Sequence, residues 1–184
     1  MSHTDVLLQA LIGHYRRPNR GRDGQLLLTE VTAPHSTRRC DLLRMSTGRT
    51  RGIDIHEVKA SRGDWRRELA DPDKAAAWLP YCSRMWVVAP PGVVRPEELP
   101  HGWGLMEPPT LARRRRFTTV VQANTRTPQL TPELMVDIAR RVDNVRLGEI
   151  ERLHQEHREE IARLGAAHRK DLAAERRRHA PATA

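Results

Sequence analysis

The chain has 184 residues, 38% of them hydrophobic, and sets 32 Lys plus Arg against 23 Asp plus Glu for a net charge of +9. No run of 18 apolar residues occurs, which excludes a membrane-spanning helix, and two isolated cysteines without a C-x-x-C exclude a disulfide framework. Reduced thiols, a cytoplasmic location and a polyanionic partner, nucleic acid before membrane, are what this balance implies.

The opening "MSHTDVLLQALIGHY" places an acid before a short apolar run and does not read as a signal peptide. Residues 4 to 15 are predicted as an amphipathic helix with Thr4 as N-cap. "RRPNRGRDG" follows as a basic loop, and "QLLLTEV" as a first buried strand. "RRCDLLRM" and "IDIHEVKA" are strand-like runs on either side of "STGRTRG", the pattern of a hairpin. Ser61 is placed to cap a helix over "RGDWRRELA", and Asp71 with Pro72 to restart one that Pro80 ends. "SRMWVVA" reads as a fourth strand, and "WGLME" as a fifth. Helix, three strands, helix and further strands give an α/β chain with a mixed sheet and helices against it.

A second composition begins near residue 129. Thr131 as N-cap, Pro132 at the first helical position and Glu133 in the first turn announce a helix that nothing stops before Arg178. Residues 131 to 184 carry 11 basic and 10 acidic side chains, and the remaining 130 residues carry 21 and 13, so the positive field belongs to the first part. The domains are therefore 1–128 and a long charged helix over 129–184. On a heptad frame its seam reads Leu147, Ile150, His154, His157, Ile161, Leu164, His168 and Asp171, a weakened coiled coil able to form a homodimer; the alternative is a solitary charged helix held by i,i+4 pairs. The close pair His154 and His157 lacks the cysteine partners of a zinc site.

Only three of the basic residues are lysine, Lys59, Lys74 and Lys170, so a lysine in "GIDIHEVKAS" stands out. Strand alternation puts Ile53, Ile55, Glu57 and Lys59 on one face, which turns from apolar to charged along its length. If the hairpin turn centres on Arg49, Asp41 falls opposite Glu57 on the same side of the sheet. Two carboxylates so placed resist joint ionisation unless a cation lies between them, and hard oxygen ligands suit Mg²⁺ or Mn²⁺. Lys59 is then placed to orient a water nucleophile or to offset charge on a phosphoryl transition state. The plainer alternative is a cross-face salt pair. Trp78, Tyr81, Met85, Trp86, Val87, Val88 and Cys82 read as core, and "RRRR" at 113 to 116 as a solvated face or a phosphate contact.

"TEV", "RRCDLL", "IHEVKASRGDW", "DPDKAAAWLPYCSRMWVVAPP" and "LPHGWGLME", in this order, resemble the MmcB-like DNA-repair family of the PD-(D/E)xK nuclease superfamily. The likeness covers about residues 5 to 125. It implies a restriction-endonuclease-like core and a DNA nuclease with Asp41 as the motif acid, Glu57 and Lys59 as the E-x-K, and Glu30 as an acidic helper. The implied metal set is Asp41, Glu57 and Val58. Ser61, Asp64 and Lys74 would assist, and Arg39 with Arg113, Arg114, Arg115 and Arg116 would contact DNA. "RELADPD" before Lys74 departs from the family pattern, and the long helix is outside the likeness.

Overall fold

The computed structural model describes residues 2–16, 24–48, 51–71, 73, 76–110 and 116–178. Lys74 and Arg113 to Arg115 lie outside the described residues. The chain divides into two compact units, Met1–Arg141 and Val142–Ala184.

The first unit opens with α1 (His3–Tyr15). Its N-cap is Ser2 and not Thr4, because Asp5 stands three residues after Ser2 and completes a capping box. The Ser2 hydroxyl accepts from the Asp5 amide at 3.1 Å, and the Asp5 carboxylate accepts from the Ser2 amide at 2.8 Å. Strands β1 (Gln25–Thr32), β2 (Arg39–Ser46) and β3 (Gly52–Val58) then form an antiparallel meander. The helix α2 (Arg62–Leu69) carries the chain across to β4 (Arg84–Val88), which pairs parallel to β3. β5 (Gly104–Glu107) is parallel to β4, and β6 (Thr118–Val121) closes the sheet antiparallel to β5. The result is one six-stranded mixed sheet in sequential order. Parallel neighbours need long crossovers, and the segments 59–83 and 89–103 supply them.

β6 is the strand that the sequence pattern misses. Its residues run exposed, exposed, exposed and half-buried, so no alternation marks it. Gly104 begins β5 directly against Trp86, and a Cβ there would collide with the indole ring. That position needs glycine for close approach, not for its dihedral freedom.

Each face of the sheet has its own core. One gathers Leu43, Ile53, Ile55, Trp65, Trp78 and Met85; the other gathers Leu7, Leu11, Leu42, Val58, Trp86 and Val88. Alternation along β3 explains the split, since odd positions feed the first cluster and Val58 the second. Trp78 and Cys82 are fully buried, as a packing role requires.

The last helix, α3, runs Pro132–Arg178 over 47 residues, about 70 Å of rise. Thr131 Oγ1 accepts from the Leu134 amide at 3.3 Å. The boundary between the units falls inside this helix, because its first turns belong to the sheet's core. Leu134 and Ile138 are buried there, and Arg141 donates to the Thr29 carbonyl at 2.7 Å. No helix among the described residues is long and apolar enough to cross a membrane.

Candidate active site

The β2–β3 register pairs Leu42 with His56, Leu43 with Ile55 and Ser46 with Gly52, all symmetric about position 49. Position 49 itself is outside the described residues. The paired ladder ends at Leu42 and His56, so Asp41 and Glu57 stand one step beyond its last rung. Alternation is interrupted at this point of β2. Cys40 and Leu42, two residues apart, belong to opposite core clusters. Across from them Glu30 has φ +55°, and the β1–β2 pairing passes from Thr29–Leu42 to Val31–Cys40 over it. A left-handed backbone at a non-glycine residue is strained, and strain of this kind gathers at functional sites.

Freed from the ladder, the Asp41 carboxylate accepts from the Val58 amide at 2.6 Å. Asp41, Val58 and Lys59 share an open cavity of about 360 Å³ with Thr4, Asp64, Arg67, Glu68 and Asp71. Glu57 is buried beside it, 1% exposed, and accepts from Lys59 Nζ at 3.2 Å. Lys59 is itself 6% exposed and lies 2.6 Å from Glu68 Oε2. The rare lysine is thus held between two carboxylates, one from β3 and one from α2.

Helix α2 positions Glu68 for a simple reason. Ser61 caps it, accepting from the Asp64 amide at 3.2 Å, and Trp65 anchors its inner face in the core. Glu68 follows Trp65 by three residues and so shares that face. Trp65 Nε1 in turn donates to Glu98 Oε2 at 3.2 Å, and Arg62 pairs with the same carboxylate, which is held down to about 2 by that guanidinium first. The helix start is fixed at both ends of its first turn.

Of the residues expected at the site, Asp41, Val58, Lys59 and Asp64 line one cavity, and Glu57 stands behind Lys59. Asp64 pairs with Arg67, and Ser61 caps the helix below it. Glu30 is elsewhere in contact terms: its side chain is 51% exposed, 3.9 Å from Arg39, and it is not among the described residues that line the cavity. Arg39 and Arg116 are exposed. Glu68 is the residue of this candidate site that sequence reasoning missed.

The donor set can be tested against a hard divalent cation. Four carboxylates line the cavity, Asp41, Asp64, Glu68 and Asp71, against Lys59 and Arg67. Buried Glu57 adds a fifth, and Arg38, 2.8 Å from Asp71, adds a third cation. Among the described residues carboxylates outnumber cations here. Among the described residues no three His, Cys, Asp or Glu side chains form a ready-made metal cage. Mg²⁺ and Mn²⁺ do not need one, since one or two carboxylates and several waters are their usual shell. The oxygen-rich, anionic cavity fits such an ion.

The opposite face of β3 holds a second buried polar cluster. Asp54 sits in one row with Arg44 of β2 and Arg84 of β4 and accepts from both, at 2.6 and 2.8 Å. One step along, His56 Nε2 lies 2.8 Å from Tyr15 Oη, and Arg44 stacks 4.7 Å over the Tyr15 ring. Burial, the larger effect, pushes His56 down to about 4 and Tyr15 up to about 12.

No family model and no curated protein matches the chain. Among solved structures it is similar to the SPO1766 protein of unknown function from Silicibacter pomeroyi, with a TM-score of 0.54 and 22% identity over 81% of this chain and 94% of that one. At that identity the likeness is one of fold.

Proposed function

We propose that this protein is a metal-dependent deoxyribonuclease of the restriction-endonuclease-like fold, a member of the MmcB-like DNA-repair group of PD-(D/E)xK proteins. The observation that carries the reading is Lys59 clasped by Glu57 and Glu68 at the edge of a carboxylate-rich cavity that also holds Asp41. Asp41, Glu57 and the main chain at Val58 would hold Mg²⁺ or Mn²⁺. A divalent cation there supplies positive charge to the scissile phosphate and makes a neighbouring water more acidic. Asp41 fixes the β3 end through the Val58 amide and presents a carboxylate to the cavity. Lys59 places its ammonium where charge grows on the phosphoryl oxygens. Glu57 and Glu68 fix that ammonium from two sides. The +8 carried by residues 1 to 130 draws the DNA backbone toward the unit, with Arg39, Lys74 and Arg113 to Arg116 as phosphate contacts.

A second reading, DNA binding or assembly through the C-terminal helix without hydrolysis, has its own observation. Glu57 is buried and ion-paired, as in a purely structural charge cluster. One experiment separates the two. Purified protein is incubated with plasmid and with single-stranded DNA in Mg²⁺, Mn²⁺ or EDTA. Cleavage that requires the metal is expected. Binding that weakens steeply with salt, but with no cleavage in either metal, selects the second reading.

A further inference from the structure

Past Arg141 the helix α3 leaves Val142, Ile150, Leu153, Ile161, Leu164 and Leu172 at least 37% exposed. The heptad frame skips Leu153 and Leu172 and puts Asp171 on the seam. An 11-residue frame does better. "IERLHQEHREE" at 150 to 160 is followed directly by "IARLGAAHRKD" at 161 to 171, with Ile, Arg, Leu, His and Arg repeated at matching positions. Eleven residues in three turns, about 3.67 per turn, stay on one face of a nearly straight helix, whereas a heptad must supercoil to do so. The resulting seam is Val142, Arg146, Ile150, Leu153, His157, Ile161, Leu164, His168 and Leu172, which takes in six of the exposed apolar residues and leaves Val145 and Leu147 off it.

We propose that this seam is an interface with a second copy of the chain, packed antiparallel with its two-fold axis at His157. An antiparallel self-pair places each residue opposite its mirror image about the axis, so it demands a seam that reads alike in both directions. This seam does. Val142 meets Leu172, Ile150 meets Leu164, Leu153 meets Ile161, and the polar Arg146 meets the polar His168. The repeated spacing of three and four residues is itself symmetric about His157.

Any helix could pair with itself in parallel, so charge has to decide the direction. Residues 142 to 156 carry 4 acidic and 2 basic side chains, and residues 158 to 172 carry 3 acidic and 4 basic. Antiparallel packing sets the acidic half against the basic half and brings Glu151 near Arg163. Parallel packing would set like halves together and stack Arg146 on Arg146. The paired length, 31 residues, is about 46 Å.

The inference rests on the helix alone and stands apart from the nuclease reading. Sedimentation of the full chain is expected to show a dimer, and Leu153→Glu with Ile161→Glu to weaken association roughly a hundredfold while leaving the thermal midpoint of the sheet unit unchanged. Direction is read by cross-linking with diamide; the native Cys40 and Cys82 are buried and out of reach. Chains carrying Ile150→Cys should link to chains carrying Leu164→Cys, and neither should link to itself. Self-linking of Ile150→Cys chains would overturn the antiparallel arrangement. A monomer at high protein concentration would overturn the interface.

Discussion

Strand β3 buries charge on both of its faces, and the two faces treat it differently. On the α1 side, Asp54 has a guanidinium on each flank, from the strands on either side. On the α2 side, Lys59 touches two buried carboxylates, Glu57 and Glu68, and a third, Asp41, lines an open cavity. Burying ions costs several kcal/mol each unless partners offset it. The first cluster is closed in that sense, and a structure-supporting role accounts for all of it. The second gathers carboxylates beside a cavity, as uptake of a hard cation would require. Burial alone therefore does not mark a candidate site; charged groups that line an accessible cavity do.

The largest effect expected of this comparison is on cleavage. Asp41→Asn removes one charge from the cavity side while keeping an acceptor for the Val58 amide. Metal-dependent cleavage should fall roughly a thousandfold, with the unfolding midpoint nearly unchanged. Glu57→Gln and Lys59→Ala should abolish cleavage as well, though Lys59→Ala removes an ion pair from each of two buried carboxylates and should also lower stability. Full activity of Asp41→Asn would erase the distinction between the faces.

On the closed face the loss should be of stability and not of chemistry. Asp54→Ala leaves Arg44 and Arg84 converging on nothing, and should cost about 3 kcal/mol in denaturant unfolding. Below the new midpoint, the cleavage rate per folded molecule should be unaltered. A variant as stable as the parent would remove the structural role, and one that folds but does not cleave would show that the row reaches into the chemistry.

How much of this contrast could be read from the sequence depends on which contacts are local. The E-x-K face follows from strand alternation, and the Arg49-centred hairpin fixes every β2–β3 pair at once, Arg44 with Asp54 included. Arg84 could not be placed, because the parallel register of β4 against β3 is set by tertiary packing across a 25-residue crossover whose length fixes no register. Glu68 is an intermediate case. In "RGDWRREL" the charged residues look equivalent, but Trp65 is the one large apolar residue of the first two turns and so defines the inner face. Three residues on, Glu68 must share it. The break at Glu30 and Asp41 gave no signal, since a left-handed glutamate is not a sequence feature. It is also why Asp41 meets the Val58 amide instead of joining a ladder with Glu57.

A third test uses pH on the closed face. Burial holds His56 neutral down to about 4, while an unfolded chain would protonate it near 6.5. Between those values the unfolded state binds a proton that the folded state refuses. The stability is therefore complete above about 6.5 and is lost as pH falls toward 4. From pH 7 to pH 5 the loss should be about 2 kcal/mol, and His56→Phe should flatten that slope. Glu98, held down to about 2, loses its contribution only below the ordinary carboxylate range and does not confuse this window. An unchanged slope in His56→Phe would mean that the acid sensitivity lies elsewhere.

The smallest effect expected is the one that best separates a positioning residue from a structural one. Glu68→Gln keeps the size of the side chain and removes its charge, so Lys59 keeps Glu57 at 3.2 Å but loses the carboxylate at 2.6 Å. In the proposed reaction Glu68 would act through Lys59 and need not touch DNA, so kcat should drop about tenfold while KM for DNA stays within about twofold. Glu68→Asp retains the charge but is one methylene shorter on a helix anchored by Trp65, and should recover part of the lost rate. A ligand of DNA would instead move KM, and a packing residue would lower the unfolding midpoint without favouring Asp over Gln. If Glu68→Gln and Glu68→Asp lose kcat equally and both unfold earlier, the α2 side of β3 holds Lys59 for the same reason that the α1 side holds Asp54. The two faces would then differ in access alone.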